Sequence, residues 1–262
     1  MNQDVALQVF FELHSNLPRE GPGNLAATRR ALSFIPPLPE TASILDLGCG
    51  PGMQTLHLAS LTVGHITAID IHQPYLDQLS VTIAAQGLGD RITVANQDMG
   101  NLDWPDHSVD LIWAEGSAYI LEFANALRQW RSLLKPGGHL AVSEVSWLRP
   151  NPSDAARQFW QEEYPGMQTV SKNLVIAQAA GYFPLAHFVL PEAAWWDHYY
   201  TPLSERLVAL RETYANNEDA IAVIDLHDRE IDLYRHHSHD YGYVFYILKV
   251  DEHYDPNGSF PA

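Results

Sequence analysis

Asp46, the glycines at 48, 50 and 52, and then Asp70, Asp98, Glu115 and Glu144 are the residues whose types and spacing bear on chemistry. The glycines lie in Ile44-Leu-Asp-Leu-Gly-Cys-Gly-Pro-Gly-Met53, where an apolar strand-like run passes straight into a helical pattern at Met53, Leu56, Leu58 and Ala59. A glycine loop between strand and helix lets a ligand lie against backbone N–H groups, because no Cβ stands in the way. A dinucleotide fingerprint would read Gly-x-Gly-x-x-Gly. Here the spacing is Gly48-x-Gly50-x-Gly52, and Met53 occupies the third fingerprint position. A carboxylate at Asp46 would repel a pyrophosphate and suits a ligand that carries positive charge. S-adenosylmethionine, with an ammonium, a sulfonium and no phosphate, has that character.

The acids downstream follow the same logic. Gly64 to Asp70 is a short apolar strand ending in a carboxylate, 22 residues after Gly48. A βαβ unit places there the acid that grips ribose hydroxyls. The bland alternative for Asp70 is a helix N-cap, since a helical pattern begins near Pro74, but a cap does not explain the spacing. A third strand, Ile92 to Ala95, leads into Asn96-Gln97-Asp98-Met99, so Asp98 can accept from an exocyclic amino group or simply form a turn. A fourth strand, Val109 to Ala114, ends in Glu115-Gly116-Ser117. A helical stretch to Leu134, the turn Lys135-Pro-Gly-Gly138 and a fifth strand, His139 to Glu144, complete the series.

In these motifs (44–53, 64–70, 96–99 and 135–144) the chain resembles the class I S-adenosylmethionine-dependent methyltransferases of the ubiquinone/menaquinone-biosynthesis-like group, across residues 40 to 150. A narrower resemblance, to a bacterial subgroup of small-molecule methyltransferases, covers nearly the whole chain. It rests on Arg-Glu-Gly-Pro-Gly (19–23), Ser-Glu-Val-Ser-Trp (143–147), Trp-Trp-Asp-His-Tyr-Tyr-Thr-Pro (195–202) and Tyr-Gly-Tyr-Val-Phe-Tyr-Ile (241–247). The resemblance implies an α/β fold, a Rossmann-like doubly wound sheet of seven strands whose last strand is antiparallel and lies beside strand five. It implies S-adenosylmethionine as cofactor. Asp70 then holds the ribose, Asp98 and the Met99 backbone hold adenine, and Asp46, Gly48, Gly50 and Glu115 line the methionine half. Arg19 and Gly23 fold over the cofactor carboxylate.

The elements that must position these residues read as one domain over 1–262: an N-terminal helical cap (1–40), a cofactor core (41–150) and a helical insertion (191–240) between strands six and seven. Residues 4–17 and about 25–34 are helical, separated by the Arg19–Asn24 break. Strand six is read as Leu185 to Leu190 and the last strand as Tyr243 to Val250. In the insertion, helices are expected near Leu203–Tyr214 and Glu218–Tyr234. Ligands on such open sheets bind beyond the carboxyl ends of the strands, where Gly48–Gly52, Asp70, Asp98, Glu115 and Glu144 are read to fall. Residues 1–35 form either a fixed cap or a lid hinged at Gly21-Pro22-Gly23.

For transfer chemistry, Glu115, Glu144 and His198 are the candidate bases or orienters. Tyr119, Trp147, Trp196 and Tyr199 are candidates for an aromatic wall around a substrate, with core packing as the competing explanation. Among 13 histidines the run His236-His237-Ser-His239-Asp240 raises a metal question. Only His236 and Asp240 stand at i, i+4 there, and a solvated helix end explains the run better, so no metal is expected.

Composition narrows the partners. With 32 acidic against 15 basic residues the formal charge is −17, a field that repels nucleic acid, and no basic stripe interrupts it. Cys49 is the lone cysteine, so no internal disulfide can form. The first residues include Asp4 and Glu12 and no basic block, unlike a secretory leader, and no apolar run approaches membrane-spanning length. The expectation is a cytoplasmic enzyme acting on a small molecule, with oligomeric state open. A nicotinamide oxidoreductase is the competing enzyme class, disfavoured by Met53, Asp46 and Asp98. A methyltransferase acting on a macromolecule is the other alternative.

Overall fold

Val, Ile, Leu and Ala fill the short strands almost without interruption, the pattern of strands covered on both faces. In the computed structural model, which describes residues 3–254, they assemble a seven-stranded sheet. The strands are β1 (Ser43–Leu47), β2 (His65–Asp70), β3 (Ile92–Asn96), β4 (Val109–Glu115), β5 (Leu134–Trp147), β6 (Tyr182–Val189) and β7 (Tyr241–Val250). Their order is 3-2-1-4-5-7-6. Strands β1 to β5 are parallel, and β7 enters between β5 and β6, antiparallel to both. Strand order reverses between β1 and β4, which opens a crevice at their carboxyl ends.

Alternation along the strands divides the core. Leu45, Leu47, Ile112, Val142 and Tyr246 pack against α5 (Phe123–Arg131) and α7 (Val170–Ala179). Ile44, Ala68, Trp113, Ala141 and Phe245 pack on the opposite face with α2 (Leu25–Leu32), α3 (Met53–Leu61) and α4 (Gln73–Ala85). A third apolar cluster joins Val145 and Tyr241 to α1 (Gln3–His14), α6 (Asp154–Glu163), α9 (Thr201–Thr213) and α10 (Glu218–His237). These four helices roof the carboxyl end of the sheet, bringing the chain's beginning against the 191–240 segment. Side-chain caps define several helix starts: Asn24, Ser153, Thr169 and Asn217 each accept from a backbone N–H in the following turn.

Several boundaries move from the sequence reading. The first helix stops at His14, not 17, where Asn16 takes a left-handed φ of 61°. β5 runs through Lys135-Pro-Gly-Gly138 and on to Trp147, because β7 pairs with it as far as Trp147↔Tyr241. Glu144 is therefore inside a strand, not at its end. β6 begins at Tyr182 and β7 at Tyr241. The aromatic run 195–200 is itself helical: a short α8 (Ala193–Trp195) leads into a π-helical turn, Trp196–Tyr200, and on into α9. Helix α10 includes His236 and His237, and Asp240 lies beyond it, facing His237 at 3.5 Å.

Candidate functional site

The loop after β1 turns through three left-handed glycines, with φ of 71° at Gly48, 52° at Gly50 and 90° at Gly52. Gly48 and Cys49 both donate to the Ile69 carbonyl at 2.9 Å, which seats the loop across the end of β2. A Cβ on Gly48 would stand 2.5 Å from the Ser117 Cβ, so the fourth strand's exit can close on the loop only over a glycine. Ser117 locks that exit by donating to the Leu47 carbonyl at 2.7 Å. Asp70 sits at the tip of β2, accepting from Gly50 N at 2.9 Å and from His72 N at 2.8 Å. A carboxylate has about four acceptor sites, so both oxygens keep capacity for a ligand's hydroxyls. Asp98 is exposed beyond β3 and accepts from Gly100 N at 2.8 Å. Met99 is nearly buried beside Gly48, and its carbonyl accepts from the Trp130 indole at 3.0 Å.

Over this loop lies the 19–23 segment. Arg19 donates through Nη2 to Glu115 Oε2 at 2.5 Å, and both side chains are all but buried, at 3% and 1% exposure. Arg19 also donates through Nε to the Gly21 carbonyl at 3.0 Å, and the Trp113 indole donates to Glu115 Oε1 at 2.8 Å. Gly23 lies so close to this ion pair that a Cβ there would collide with it, and its N–H donates to the Ala194 carbonyl at 2.9 Å. Glu20 reaches over Gly50 and accepts from the Tyr75 hydroxyl at 2.8 Å. Burial, reinforced by the Asp70 charge, raises its pKa to about 8. Phe11 stacks on His72 at 3.9 Å, so α1 too closes on the β2–α4 turn.

Asp46 is fully buried at the root of the loop. Thr55 donates to its Oδ2 at 2.6 Å, while Oδ1 has no hydrogen-bond partner. Loss of water, with the Glu115 charge adding to it, lifts Asp46 to about 7. Arg19 Nη1, whose charge opposes that shift, is likewise buried and without a partner. An orphan acceptor and an orphan donor thus stand beside the glycine loop, and such groups are costly unless something satisfies them.

Beyond Gly116 the site opens into a cavity of about 180 Å³ lined by Glu20, Gly21, His14, Tyr119, Tyr199 and Tyr243, among others. A wider chamber of about 510 Å³ between α1, α6 and α10 shares Phe10, Tyr119, Trp160, Glu163, His227 and Glu230 with it. Of the four aromatics singled out in the sequence, Tyr119 and Tyr199 line this space. Trp147 and Trp196 do not. Trp147 lines a separate groove with Arg149 and Met167, and Trp196 packs on Tyr200 and Tyr234 with Arg235 over its ring. Glu144 is 1% exposed on the α5–α7 face, lines neither cavity, and neither oxygen has a well-formed hydrogen bond. Burial raises it to about 8, against a weaker opposing pull from the Tyr164 hydroxyl. His198 lies in the π-helical turn, near enough to His57 for the two charges to interact. Glu115 is committed to Arg19 and Trp113, the arrangement of a clamp.

His14, Glu20, His227 and Glu230 escaped the sequence reading. A trace was there: His14 follows Phe10 by one helical turn on the apolar face of α1, and His227 and Glu230 share a face of α10 at i, i+3.

Against known proteins, residues 44–138 match the family described as Methyltransferase domain. A 27-O-demethylrifamycin SV methyltransferase of Amycolatopsis mediterranei is 29% identical over 123 residues, 47% of this chain and 45% of that protein. The chain spans less than half the length of the curated relatives it matches. Among solved structures, a methyltransferase from Geobacter sulfurreducens in complex with S-adenosyl-L-homocysteine superimposes with a TM-score of 0.75 at 22% identity, covering 93% of this chain and 98% of that one. A [4+2]-cyclase superimposes with 0.71 at 23% identity, covering 95% and 93%. These likenesses show the fold. Sheet order and glycine loop agree with the match of residues 44–138 to a methyltransferase domain.

Proposed function

We propose that the protein binds S-adenosylmethionine on the glycine loop and directs its methyl group to a small molecule held in the cavity beyond Gly116. The observation that carries this reading is the pair of unpartnered buried atoms beside the loop, Asp46 Oδ1 and Arg19 Nη1. An amino acid moiety offers an ammonium to the first and a carboxylate to the second. Asp70, with acceptor capacity left on both oxygens, suits ribose hydroxyls, and exposed Asp98 suits an adenine amino group. A pyrophosphate finds no lysine or arginine on the loop and meets Asp46, Glu20 and Asp70 instead.

When bound, the cofactor supplies a methyl carbon already activated by its sulfonium. The protein's own part is alignment and the exclusion of water, and alignment alone is worth roughly 7–11 kcal/mol in favourable cases. The Arg19–Glu115 pair holds the 19–23 segment over the loop, and Tyr119, Tyr199 and Tyr243 wall the space beyond. Glu115 serves as clamp, and the cavity-lining groups are better placed than Glu144 or His198 to touch an acceptor. A small-molecule acceptor fits the open chamber, and the acidic net charge argues against a nucleic-acid partner.

Thermal melting tests the cofactor assignment. S-adenosylmethionine and S-adenosylhomocysteine should raise the melting temperature by mass action, while NAD and NADP leave it unchanged. Asp70→Ala should abolish most of that rise in a protein that still melts cooperatively. Stabilisation by NAD at equal concentration would overturn the proposal. Methyl-labelled cofactor incubated with metabolite extract then identifies the acceptor.

A further inference from the structure

The smaller cavity beyond Gly116, where it meets the wider chamber, holds titratable groups that the proposed cofactor site does not use. His14 ends α1 and is 2% exposed. Its ring lies 5.3 Å from that of His227 on α10, 4.3 Å from Phe10 and 6.4 Å from Tyr199. The Nδ1 of each histidine meets the carbonyl four residues earlier at 2.8 Å, Phe10 for His14 and Val223 for His227. A carbonyl only accepts, so Nδ1 carries the hydrogen in both rings, and the neutral His14 ring keeps a bare lone pair on Nε2. Glu230, one turn beyond His227, accepts from the Tyr200 hydroxyl at 2.7 Å. Arg206 of α9 donates to the Leu13 and Glu12 carbonyls at the end of the same helix turn.

Charge decides what this wall receives. No lysine or arginine lines either cavity, so nothing there balances a phosphate or a carboxylate. The carboxylates that line the cavity with His14 are Glu20, Glu163 and Glu230, and burial raises the pKa of Glu20 and Glu230. Burial and the charges of His227 and Arg206 lower His14 to about 4, so it is the free base throughout the neutral range. Apolar and aromatic side chains, Phe10, Tyr119, Phe159 and Trp160 with Val223, make up most of the remaining wall.

Building on the proposed methyl transfer, we infer that the two adjoining cavities take a neutral, largely apolar molecule bearing a hydroxyl, and that His14 Nε2 in the smaller one accepts that hydroxyl's hydrogen. The hydroxyl oxygen forms the new bond to the methyl carbon as the methyl–sulfur bond breaks. Its proton passes to His14, and the electrons of the broken bond stay on sulfur as a neutral thioether. Glu230, a carboxylate lining the same cavity, is the group of opposite charge available to the imidazolium that His14 then becomes. A neutral imidazole placed in an apolar chamber has this use, whereas a permanent cation would be repelled when His14 took up a proton.

Equilibrium binding to the full chain tests the inference without turnover. Trp160 lines both cavities, so quenching of tryptophan fluorescence reports occupancy. The probes are 2-naphthol, its methyl ether 2-methoxynaphthalene, and the cation 1-naphthylmethylammonium, each with and without S-adenosylhomocysteine. The naphthol should bind about tenfold more tightly than its ether, the equivalent of about 1.4 kcal/mol for one hydrogen bond. In His14→Phe that preference should vanish with affinity for the ether retained, and His14→Gln, which keeps an acceptor, should restore part of it. S-adenosylhomocysteine should stabilise all three proteins alike, which also shows that the variants fold. An undiminished preference in His14→Phe, tighter binding of the cation than of the naphthol, or failure of every probe to bind would overturn the inference. Loss of stabilisation by S-adenosylhomocysteine in the wild type would instead strike the cofactor assignment.

Discussion

The Arg19–Glu115 ion pair lends itself to a quantitative test, because it joins the 19–23 segment to the fourth strand with almost no water around it. Glu115→Gln keeps the shape and an oxygen for the Trp113 indole, but leaves the Arg19 guanidinium without its counter-charge. Arg19→Met keeps much of the volume and strands Glu115. Breaking one partner of a buried pair costs about 3–5 kcal/mol, whereas replacing both partners together is far milder. Asp46 tempers the first substitution: the Glu115 charge helps to hold its proton on, so Glu115→Gln lets Asp46 ionise more readily and offset Arg19. Glu115→Gln should therefore cost about 3 kcal/mol and Arg19→Met about 4. At roughly 2–4 °C per kcal/mol in a chain of this size, each lowers the melting temperature by about 10 °C. Urea unfolding of both single variants and the double variant closes the cycle, and the double should be less damaged than the sum by about 2 kcal/mol. Single losses below about 1 kcal/mol, or strict additivity, would refute the claim that this pair clamps the segment.

Two further outcomes follow from the same geometry. Glu144 is raised to about 8 by burial, so between its unfolded value near 4.5 and pH 8 the native state holds a proton that the unfolded chain has lost; its contribution to stability is full below pH 4.5 and disappears as pH rises through 8. Glu144→Gln should thus be more stable than the wild type at pH 8 by a few kcal/mol and gain little at pH 4.5, which urea midpoints at the two pH values would show; a gain independent of pH would contradict the burial argument. Hydrogen exchange examines the 13–24 segment, fastened by Arg19, by Gly23 N–H on Ala194 and by Glu20 on Tyr75: if it opens to admit cofactor, its amides gain protection on binding S-adenosylhomocysteine, and equal exchange in both states would mark it as a fixed cap.

The glycine-loop half of the candidate site was legible in the sequence, and the cavity beyond it was not. Gly48, Gly50, Gly52, Asp70 and Asp98 are tied to strand ends within a single stretch, so local rules of strand, turn and helix place them: a left-handed loop requires glycine, and the βαβ repeat sets the distance to the next acid. The antiparallel last strand was expected from the motif resemblance. How far β5 extends depended on β7, a partner about a hundred residues away, and that extension carried Glu144 away from the cavities and into the sheet. The chamber is made by α1, α6 and α10, three helices distant in sequence that meet only because each must bury an apolar stripe over the same end of the sheet. An aromatic run such as 195–200 looks the same whether its rings face a ligand or each other. Only packing assigned Tyr199 to the cavity and Trp196 to the outer layer. Sequence spacing determined which residues ring the backbone-lined loop, and long-range burial decided which side chains surround the space beyond it.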